Sequence, residues 1–445
     1  MVKAPSAAAA STGYTWGNVE IAGGGFIPGV IVNQTEKNLV YAPTDIGGTY
    51  RLDDASQRWI PLTDSVGWTD WSYNGILSIA TDPVDTRRVY LAAGTCTNGW
   101  DPNNGVILRS PDEVAAWART VLPFQIGGNM PGRGQRGRLN IDPNKDSILS
   151  FGAERGNGLW RSADYGVTWA KVSRFPNVGN YVQDATSDNL GGNQGVLWVT
   201  FDPTTGAAGA ATQTIYVRVA DKDNSVYRTT DCGTTWERVA GQPTGYLPHK
   251  GVFGKVDMQL YIATSDTGGP YDGAKVDVGR LDTATGVWTQ ISPIPSSSTD
   301  DCFGYSGLTI DRRNPSTVMV TTQVSWWPDV IIVRSTDRGA TWSRIWDWNG
   351  YPSRTLKYNL DNTGAPWLVF GKAAAAPEPS PKLGWMPESL VIDPVNANRA
   401  LYGTGATMYG TGNLLSWDTP GGKIDLAVKA QGIGETAVLD RAAPP

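Results

Sequence analysis

The stretch VYAPTDIGGTY, residues 40–50, places an acid directly after an apolar run and before two glycines. Glycine tolerates positive φ, so the pair Gly47 and Gly48 predicts a tight turn. The side chain of Asp45 either caps that turn or projects from it as a reactive carboxylate. Three other acids precede turn residues in a similar way: Glu154, Asp221 and Asp266. Carboxylates of this kind carry out acid–base hydrolysis of glycosidic bonds, which is one chemistry open to such a set.

Composition excludes several other chemistries. The single histidine, His249, argues against histidine-based metal sites and a Ser-His-Asp triad. Cys96, Cys232 and Cys302 are odd in number and widely spaced, so they predict neither a metal motif nor a disulfide framework. The net charge of −5 argues against nucleic acid as a partner. We therefore expect no metal and no cofactor.

The elements that must position these residues are β-strands. The 445 residues include 53 Gly and 19 Trp, which favours strands and turns, and no long helical period is present. No apolar run approaches the ~20 residues of a membrane span. Residues 1–13 are Ala/Ser-rich and read as a leader or linker remnant, which leaves residues 14–445 as the folded domain.

An internal repeat defines the architecture. RSADYGVTW (161–169), RTTDCGTTW (228–236) and RSTDRGATW (334–342) are copies of one unit, RSPDEVAAW (109–117) is a decayed copy, and looser copies end at Trp59, Trp288 and Trp417. A second unit of the type ATDPVDTRRVYLAAG, from Ala80, precedes them. About seven units of roughly 56 residues predict an all-β, seven-bladed β-propeller. The short unit resembles the Asp-box of sialidases and other propellers, which implies a structural turn between the third and fourth strands of a blade.

Blade topology sorts the loops into two faces. In an up-and-down blade the 1–2 and 3–4 turns share one face, whereas the 2–3 loops and blade-to-blade loops share the other. The second face collects the candidate substrate-binding residues, which are Trp68, Trp71, Trp100, Asn129, Met130, Arg133, His249, Tyr271, Asp272, Trp326, Trp327 and Trp385. Aromatic rings beside carboxylates and amides suit a polysaccharide, because rings stack on sugar faces and polar groups bond hydroxyls.

For several of these residues a purely structural role remains an open alternative. Trp68, Trp71 or Trp100 would also serve to fill gaps between loops. His249 would also order its own loop, and Arg133 would either support its loop or bind substrate. The adjacent Trp326 and Trp327 are harder to bury together, because neighbouring strand residues face opposite ways.

Over almost its whole length the chain resembles glycoside hydrolase family 74, the xyloglucan-cleaving endoglucanases. The motifs that carry the resemblance are YTWGNVEIAGGGFIPG, TDIGGTYR, ATDPVDTRRVY, TNGWDPNNGVILRS, GGNMPGRG, GNGLWRSADYGVTW, GYLPHKG, SDTGGPYDG, SWWPD, GWMPESL and YGTGATMYG. It implies two seven-bladed propellers that face each other across a cleft and cleave β-1,4-glucan with inversion. It also implies that Asp45, in the DIGG turn, is the general base and that a similar turn of the second propeller supplies the general acid.

The resemblance leaves two hypotheses from different classes. The sequence stops at TAVLDRAAPP, where the family continues into the second propeller, so we expect the N-terminal half of a secreted hydrolase. The alternative is a non-catalytic propeller that binds xyloglucan or a related β-glucan. Pro43 replaces a usual arginine and Gly137 a usual glutamate, and we expect both changes to reduce activity. A sialidase is less well supported, since its arginine cluster and tyrosine nucleophile are not identifiable from the sequence.

Overall fold

The computed structural model describes residues 21–23, 25–112, 116–271, 273–298, 303–325, 327–368 and 382–435. The proposed leader, 1–13, lies outside these ranges. The described chain forms a series of sheets in which consecutive strands pair antiparallel, apart from one strand of the last blade that is added in parallel. The first strands of neighbouring blades pack against one another in a closed ring of seven. The predicted seven-bladed propeller is confirmed.

The first three blades are regular four-stranded meanders. Blade 1 contains β1 (Ile31–Val32), β2 (Val40–Pro43), β3 (Thr49–Asp53) and β4 (Arg58–Pro61). Blade 2 contains β5 (Ile76–Thr81), β6 (Val89–Ala93), β7 (Val106–Ser110) and β8 (Ala118–Val121). Blade 3 contains β9 (Leu139–Ile141), β10 (Leu149–Ala153), β11 (Gly158–Ser162) and β12 (Ala170–Lys171).

The next three blades follow the same order. Blade 4 contains β13 (Val196–Phe201), β14 (Ile215–Val219), β15 (Val226–Thr229) and β16 (Glu237–Arg238). Blade 5 contains β17 (Leu247–Gly254), β18 (Gln259–Ser265), β19 (Val278–Asp282) and β20 (Trp288–Gln290). Blade 6 contains β21 (Tyr305–Ile310), β22 (Val318–Thr322), β23 (Ile332–Ser335) and β24 (Ser343–Arg344).

The last blade differs from the others. A hairpin of β25 (Trp346–Trp348) and β26 (Arg354–Leu356) precedes it. Blade 7 contains β27 (Tyr358–Asp361), β28 (Ser389–Asp393), β29 (Asn396–Gly403), β30 (Met408–Thr411) and β31 (Ile424–Val428), with β27 added in parallel beside β31. In the part of the chain that the structure describes, three short 3-10 helices lie in connections: Trp68–Asn74, Pro203–Thr205 and Leu414–Asp418.

Burial decreases from the inside of a blade to its edge. The second strands β6, β10, β14 and β22 are buried at every position, whereas the two-residue fourth strands β12 and β16 are exposed. Val, Ile, Leu, Tyr and Phe from adjacent sheets interdigitate between blades, which suits β-branched and aromatic residues. Among the described residues no helix is long and apolar enough to cross a bilayer.

The repeated box turns lie where the sequence predicts, between the third and fourth strands. Asp337 shows the pattern: it accepts hydrogen bonds from the Ser335 hydroxyl at 2.7 Å, the Thr341 amide at 2.8 Å and the Thr341 hydroxyl at 2.6 Å. Asp164 and Asp231 make the same three contacts. These bonds, led by the threonine hydroxyl, lower the pKa of Asp337 to about 2. The box acids are therefore saturated structural caps.

Candidate functional site

Asp45 lies two residues beyond β2, in the turn that leads to β3. The Thr44 amide donates to the Gly48 carbonyl at 2.9 Å and closes the turn. Gly48 has φ of +83°, and a methyl group there would collide with the Thr63 hydroxyl. Only glycine suits this position, so the sequence signal of the DIGG turn has a local steric cause.

Arg133 holds the Asp45 carboxylate. Its Nε lies 2.9 Å from Asp45 Oδ2, with the Asp45 side chain 8% exposed and that of Arg133 6% exposed. A terminal nitrogen of Arg133 donates to the Tyr271 hydroxyl at 2.5 Å, and the guanidinium lies over the Tyr271 and Phe26 rings. Arg133 therefore joins two other candidate residues, Asp45 and Tyr271, into one constellation and fixes one edge of the carboxylate.

Two further charged groups stand beside Asp45. Arg136 is fully enclosed, and burial lowers its pKa to about 9 against the opposing effects of Asp45 and Glu435. None of its three guanidinium nitrogens has a hydrogen-bond partner among the described residues. Glu435 is 2% exposed and packs against Gly47, in the turn that carries Asp45. Neither Arg136 nor Glu435 was predicted from the sequence, because neither belongs to a turn motif beside Asp45.

The other candidate acids are occupied elsewhere. Glu154 accepts from the Gly127 amide at 2.9 Å and lies 3.7 Å from buried Arg138. Asp221 accepts from the amides of residues 223 and 224 and from the Asn177 side chain. Asp266 accepts from the amides of residues 274 and 275. Each therefore already bonds groups of the surrounding loops.

The structure corrects the prediction that His249 binds substrate. His249 is 0% exposed, its Nε2 lies 3.1 Å from the Thr267 carbonyl oxygen, and its Nδ1 lies 3.5 Å from Glu388. A side chain without accessible surface cannot stack on or bond a ligand in the cleft, so the loop-ordering alternative holds. Next to it, burial lowers the pKa of Lys250 to about 8, with Glu388 opposing that shift.

Two groups of aromatic side chains are exposed on the loop face. Trp68 is 88% exposed on its 3-10 helix, and Trp71 stacks parallel to Trp100 with ring centroids 5.7 Å apart. Across the ring, Trp327 is 47% exposed and contacts Trp348, which in turn contacts Tyr351. We call Trp327, Trp348 and Tyr351 the aromatic cluster. The hairpin β25–β26 supplies Trp348 and Tyr351, neither of which is among the binding residues predicted from the sequence.

The remaining predicted site residues divide by exposure. Met130 is buried beside Arg133. Asn129 is half-buried, and its backbone amide donates to the Thr95 carbonyl. Trp385 is half-buried against Gly405. Tyr271 is 64% exposed. Asp272 and Trp326 lie outside the described residues.

Both sequence departures lie near the site. Pro43 and Arg136 each pack against Gly29, where an added Cβ would lie 2.9 Å from both side chains. Gly137 has φ of +117°, and a side chain there would collide with the Trp198 ring. In place of the arginine that the resemblance implies at position 43, Arg136 brings a cation toward Asp45 from the loop that carries Arg133.

The fold and this constellation define an Asp-box β-propeller with a carboxylate–arginine centre on its loop face. Sequence comparison narrows that class. The chain is 58% identical to a xyloglucanase from Paenibacillus sp over 441 residues, which is 99% of this chain and 43% of the relative. It is 54% identical to a xyloglucanase of Acetivibrio thermocellus over 442 residues, 99% of this chain and 52% of the relative. No protein-family profile matches the chain.

Solved structures agree. The GH74 xyloglucanase from Xanthomonas campestris superimposes with a TM-score of 0.85 at 34% identity, covering 94% of this chain and 56% of that one. The Niastella koreensis GH74 enzyme gives a TM-score of 0.81 at 29% identity, covering 97% and 58%. Over almost its whole length the chain is therefore similar in sequence to xyloglucanases and in fold to GH74 enzymes. It spans about half the length of the curated relatives that it matches.

Proposed function

We propose that this chain is the base-bearing half of an inverting endo-β-1,4-glucanase that acts on xyloglucan, with Asp45 as the general base. The observation that carries the proposal is the Asp45–Arg133 contact of 2.9 Å on the loop face. A carboxylate fixed at one edge and slightly exposed is suited to accept a proton from a water molecule. The xyloglucanases that match this chain supply the substrate class.

Inversion divides the work between two carboxyl groups. One carboxylate takes a proton from the attacking water, and the other carboxyl group protonates the leaving oxygen from about 6.5–9.5 Å away. Glu154 already accepts a hydrogen bond from the Gly127 amide of another loop, and Asp221 and Asp266 accept hydrogen bonds within their own loops. We therefore assign the general acid to a second propeller, as the family resemblance implies, which closes over this face and excludes water.

The aromatic side chains provide the surface on which the sugar rings of the substrate stack. The stacked pair Trp71–Trp100 and the aromatic cluster lie on the same loop face as Asp45, and their exposed rings suit the apolar faces of glucose and xylose. Because xyloglucan is a polymer of the plant cell wall, the proposal includes action outside the cell.

A complementation assay tests the proposal. This chain is mixed with a separately expressed second propeller of the family, and reducing ends released from xyloglucan are measured. Activity should appear only in the mixture and should vanish with Asp45→Asn. Full hydrolysis by the isolated chain, dependent on one of its other carboxylates, would show that the half-enzyme proposal is wrong.

The assay also separates the alternative of a non-catalytic propeller. Binding of xyloglucan oligosaccharides without hydrolysis in any mixture would favour it. Two observations favour this non-catalytic alternative. Pro43 and Gly137, which differ from the family pattern, both lie around Arg136.

A further inference from the structure

Glu435 reaches Asp45 from the opposite end of the described chain. Gly23 and Gly434 pair in a parallel bridge, the Gly23 amide donates to the Ile433 carbonyl at 2.9 Å, and the Glu435 amide donates to the Gly23 carbonyl at 3.1 Å. This backbone ladder sets the Glu435 side chain inward, where it is 2% exposed. Its place is fixed by main-chain hydrogen bonds rather than by a flexible terminus.

Two glycines leave the space that the Glu435 carboxyl group fills. A Cβ atom at Gly25 would lie 2.5 Å from Glu435 Oε1, and one at Gly47 would lie 3.1 Å from Oε2. Gly47 belongs to the turn that carries Asp45. The first glycine of the DIGG turn therefore has a second steric purpose, which is to admit a carboxyl group beside the base.

Two buried carboxyl groups placed side by side disfavour double ionisation, so one of them keeps its proton. Asp45 has the direct cationic partner, Arg133, whereas Glu435 Oε2 has no hydrogen-bond partner among the residues the structure describes. Burial, followed by the contact with Asp45, raises the pKa of Glu435 well above its usual range, while Thr44 and Arg136 oppose the shift. The proton of the pair therefore resides on Glu435.

Burial rules out Glu435 as the second catalytic carboxyl group. Inverting pairs stand about 6.5–9.5 Å apart and retaining pairs about 5–5.5 Å, because a water or a sugar must fit between them. Glu435 is 2% exposed and packs against Gly47, beside Asp45, so it has almost no surface to offer a substrate.

We propose that Glu435 is a positioning residue for Asp45: as a neutral acid it donates its O–H to the Asp45 carboxylate, opposite the Arg133 contact. The Asp45 carboxylate is then held from two sides, and only its remaining lone pairs face an attacking water. This inference rests on the proposed role of Asp45 as general base. The other groups that face the pair are Arg133, Arg136, Thr44 and Tyr50, and burial raises the pKa of Tyr50 to about 12.

Carboxyl ¹³C NMR of this chain, labelled at Asp and Glu, tests the inference without substrate. In the wild type the pair should titrate in two well-separated steps. Glu435→Gln should remove the upper step and leave the Asp45 titration within about half a pH unit, because the amide still donates. Glu435→Ala should also remove the upper step but raise the Asp45 titration by about one unit, because the donor to the charged form is lost.

Glu154→Gln is the matched control, since Glu154 is another buried acid whose partners are Gly127 and Arg138. It should leave the Asp45 titration unchanged. The inference is overturned if the upper step persists in Glu435→Gln, or if Glu435→Gln raises the Asp45 titration by a unit or more. The second criterion stands even if Glu435→Ala fails to fold.

A second readout uses the complemented enzyme. Glu435→Ala should lose about tenfold more kcat than Glu435→Gln, because only the glutamine still orients the base. Equal losses in the two variants would contradict the inference. The proposed function fails separately if Asp45→Asn leaves hydrolysis intact while the wild-type chain still shows the coupled titration.

Discussion

The molecule presents aspartates in turns on both of its faces, and the two sets have opposite surroundings. In the box turns, Asp231 and Asp337 accept hydrogen bonds from two hydroxyl groups and a backbone amide. On the loop face, Asp45 is bonded by Arg133 and lies beside unpaired Arg136 and the acid Glu435.

The difference shows how one fold assigns different work to one residue type. A carboxylate whose oxygens are filled by local donors stabilises the chain and has little capacity left for chemistry. A carboxylate that depends on distant side chains is held by the whole fold and keeps capacity for water. The partners, rather than the Asp-Gly spacing, distinguish a structural turn from a candidate catalytic one.

The largest expected effect is on hydrolysis. In the complemented enzyme, Asp45→Asn should lower kcat by about 10²–10⁴-fold, because general base catalysis is lost. Asp337→Asn, in a box turn, should keep kcat within about twofold. Steady-state kinetics on xyloglucan compare the two, and a similar loss in both variants would erase the distinction between the faces.

Removing an exposed ring from the loop face should weaken ligand binding. Trp327→Ala should cost about 1–3 kcal/mol of affinity for xyloglucan oligosaccharides, by analogy with aromatic stacking sites for bases. Tyr165→Ala is the matched control, because Tyr165 is 39% exposed but belongs to a box turn. Calorimetry measures both, and unchanged affinity in Trp327→Ala would contradict the assignment of the aromatic cluster.

Stability should respond to the opposite face. Asp337→Ala removes the acceptor for Ser335 and Thr341, so the free energy of unfolding should fall by about 0.5–2 kcal/mol, as for the loss of a helix cap. Urea denaturation gives the value. Ligand affinity should be unaffected. A parallel loss of affinity would contradict the assignment of stability to the box turns and of binding to the loop face.

The two faces should also differ in the sign of their pH dependence. Burial raises the pKa of Asp329, which anchors the Trp327 loop to Leu383, to about 7, although the Leu383 and Val330 amides oppose this. Its folded pKa exceeds the unfolded one, so this contribution to stability falls as pH rises from about 4 to about 7. For Asp231 and Asp337, with pKa about 2, the contribution is present above about pH 4 and is lost as pH falls toward 2.

Urea titrations across this pH range check the sign. Asp329→Asn should flatten the decline in unfolding free energy between about pH 5 and 7, whereas Asp337→Asn should leave that interval unchanged. An unaltered slope in Asp329→Asn would show that its carboxyl group does not titrate there.

Local patterns explain why much of this architecture is predictable. The box unit encodes its own turn, because Asp337, Ser335 and Thr341 lie within a few residues of one another. The DIGG turn likewise predicts where Asp45 lies, and exposed Trp68, Trp100 and Trp327 follow from their loops. In each case the interaction and the sequence signal are local.

The unpredicted features are all long-range. His249 is buried because Glu388 and the Thr267 loop enclose it, which no residue near position 249 signals. Arg136 and Glu435 join the site only through the packing of separate blades. A single sequence cannot reveal which acid far along the chain will lie beside Asp45.

The bridge between Gly23 and Gly434 has a consequence for the order of folding. Nearby, the Trp59 indole bonds the Lys429 carbonyl across a sequence separation of 370 residues. Contacts so distant in sequence form slowly, because closing such a long loop costs conformational entropy before the contacts can stabilise the chain. Asp45 and Glu435 therefore meet only in molecules whose ring has closed. A partly folded chain has its Asp45 without its neighbour, so proton affinity at this one turn reports completion of the whole propeller.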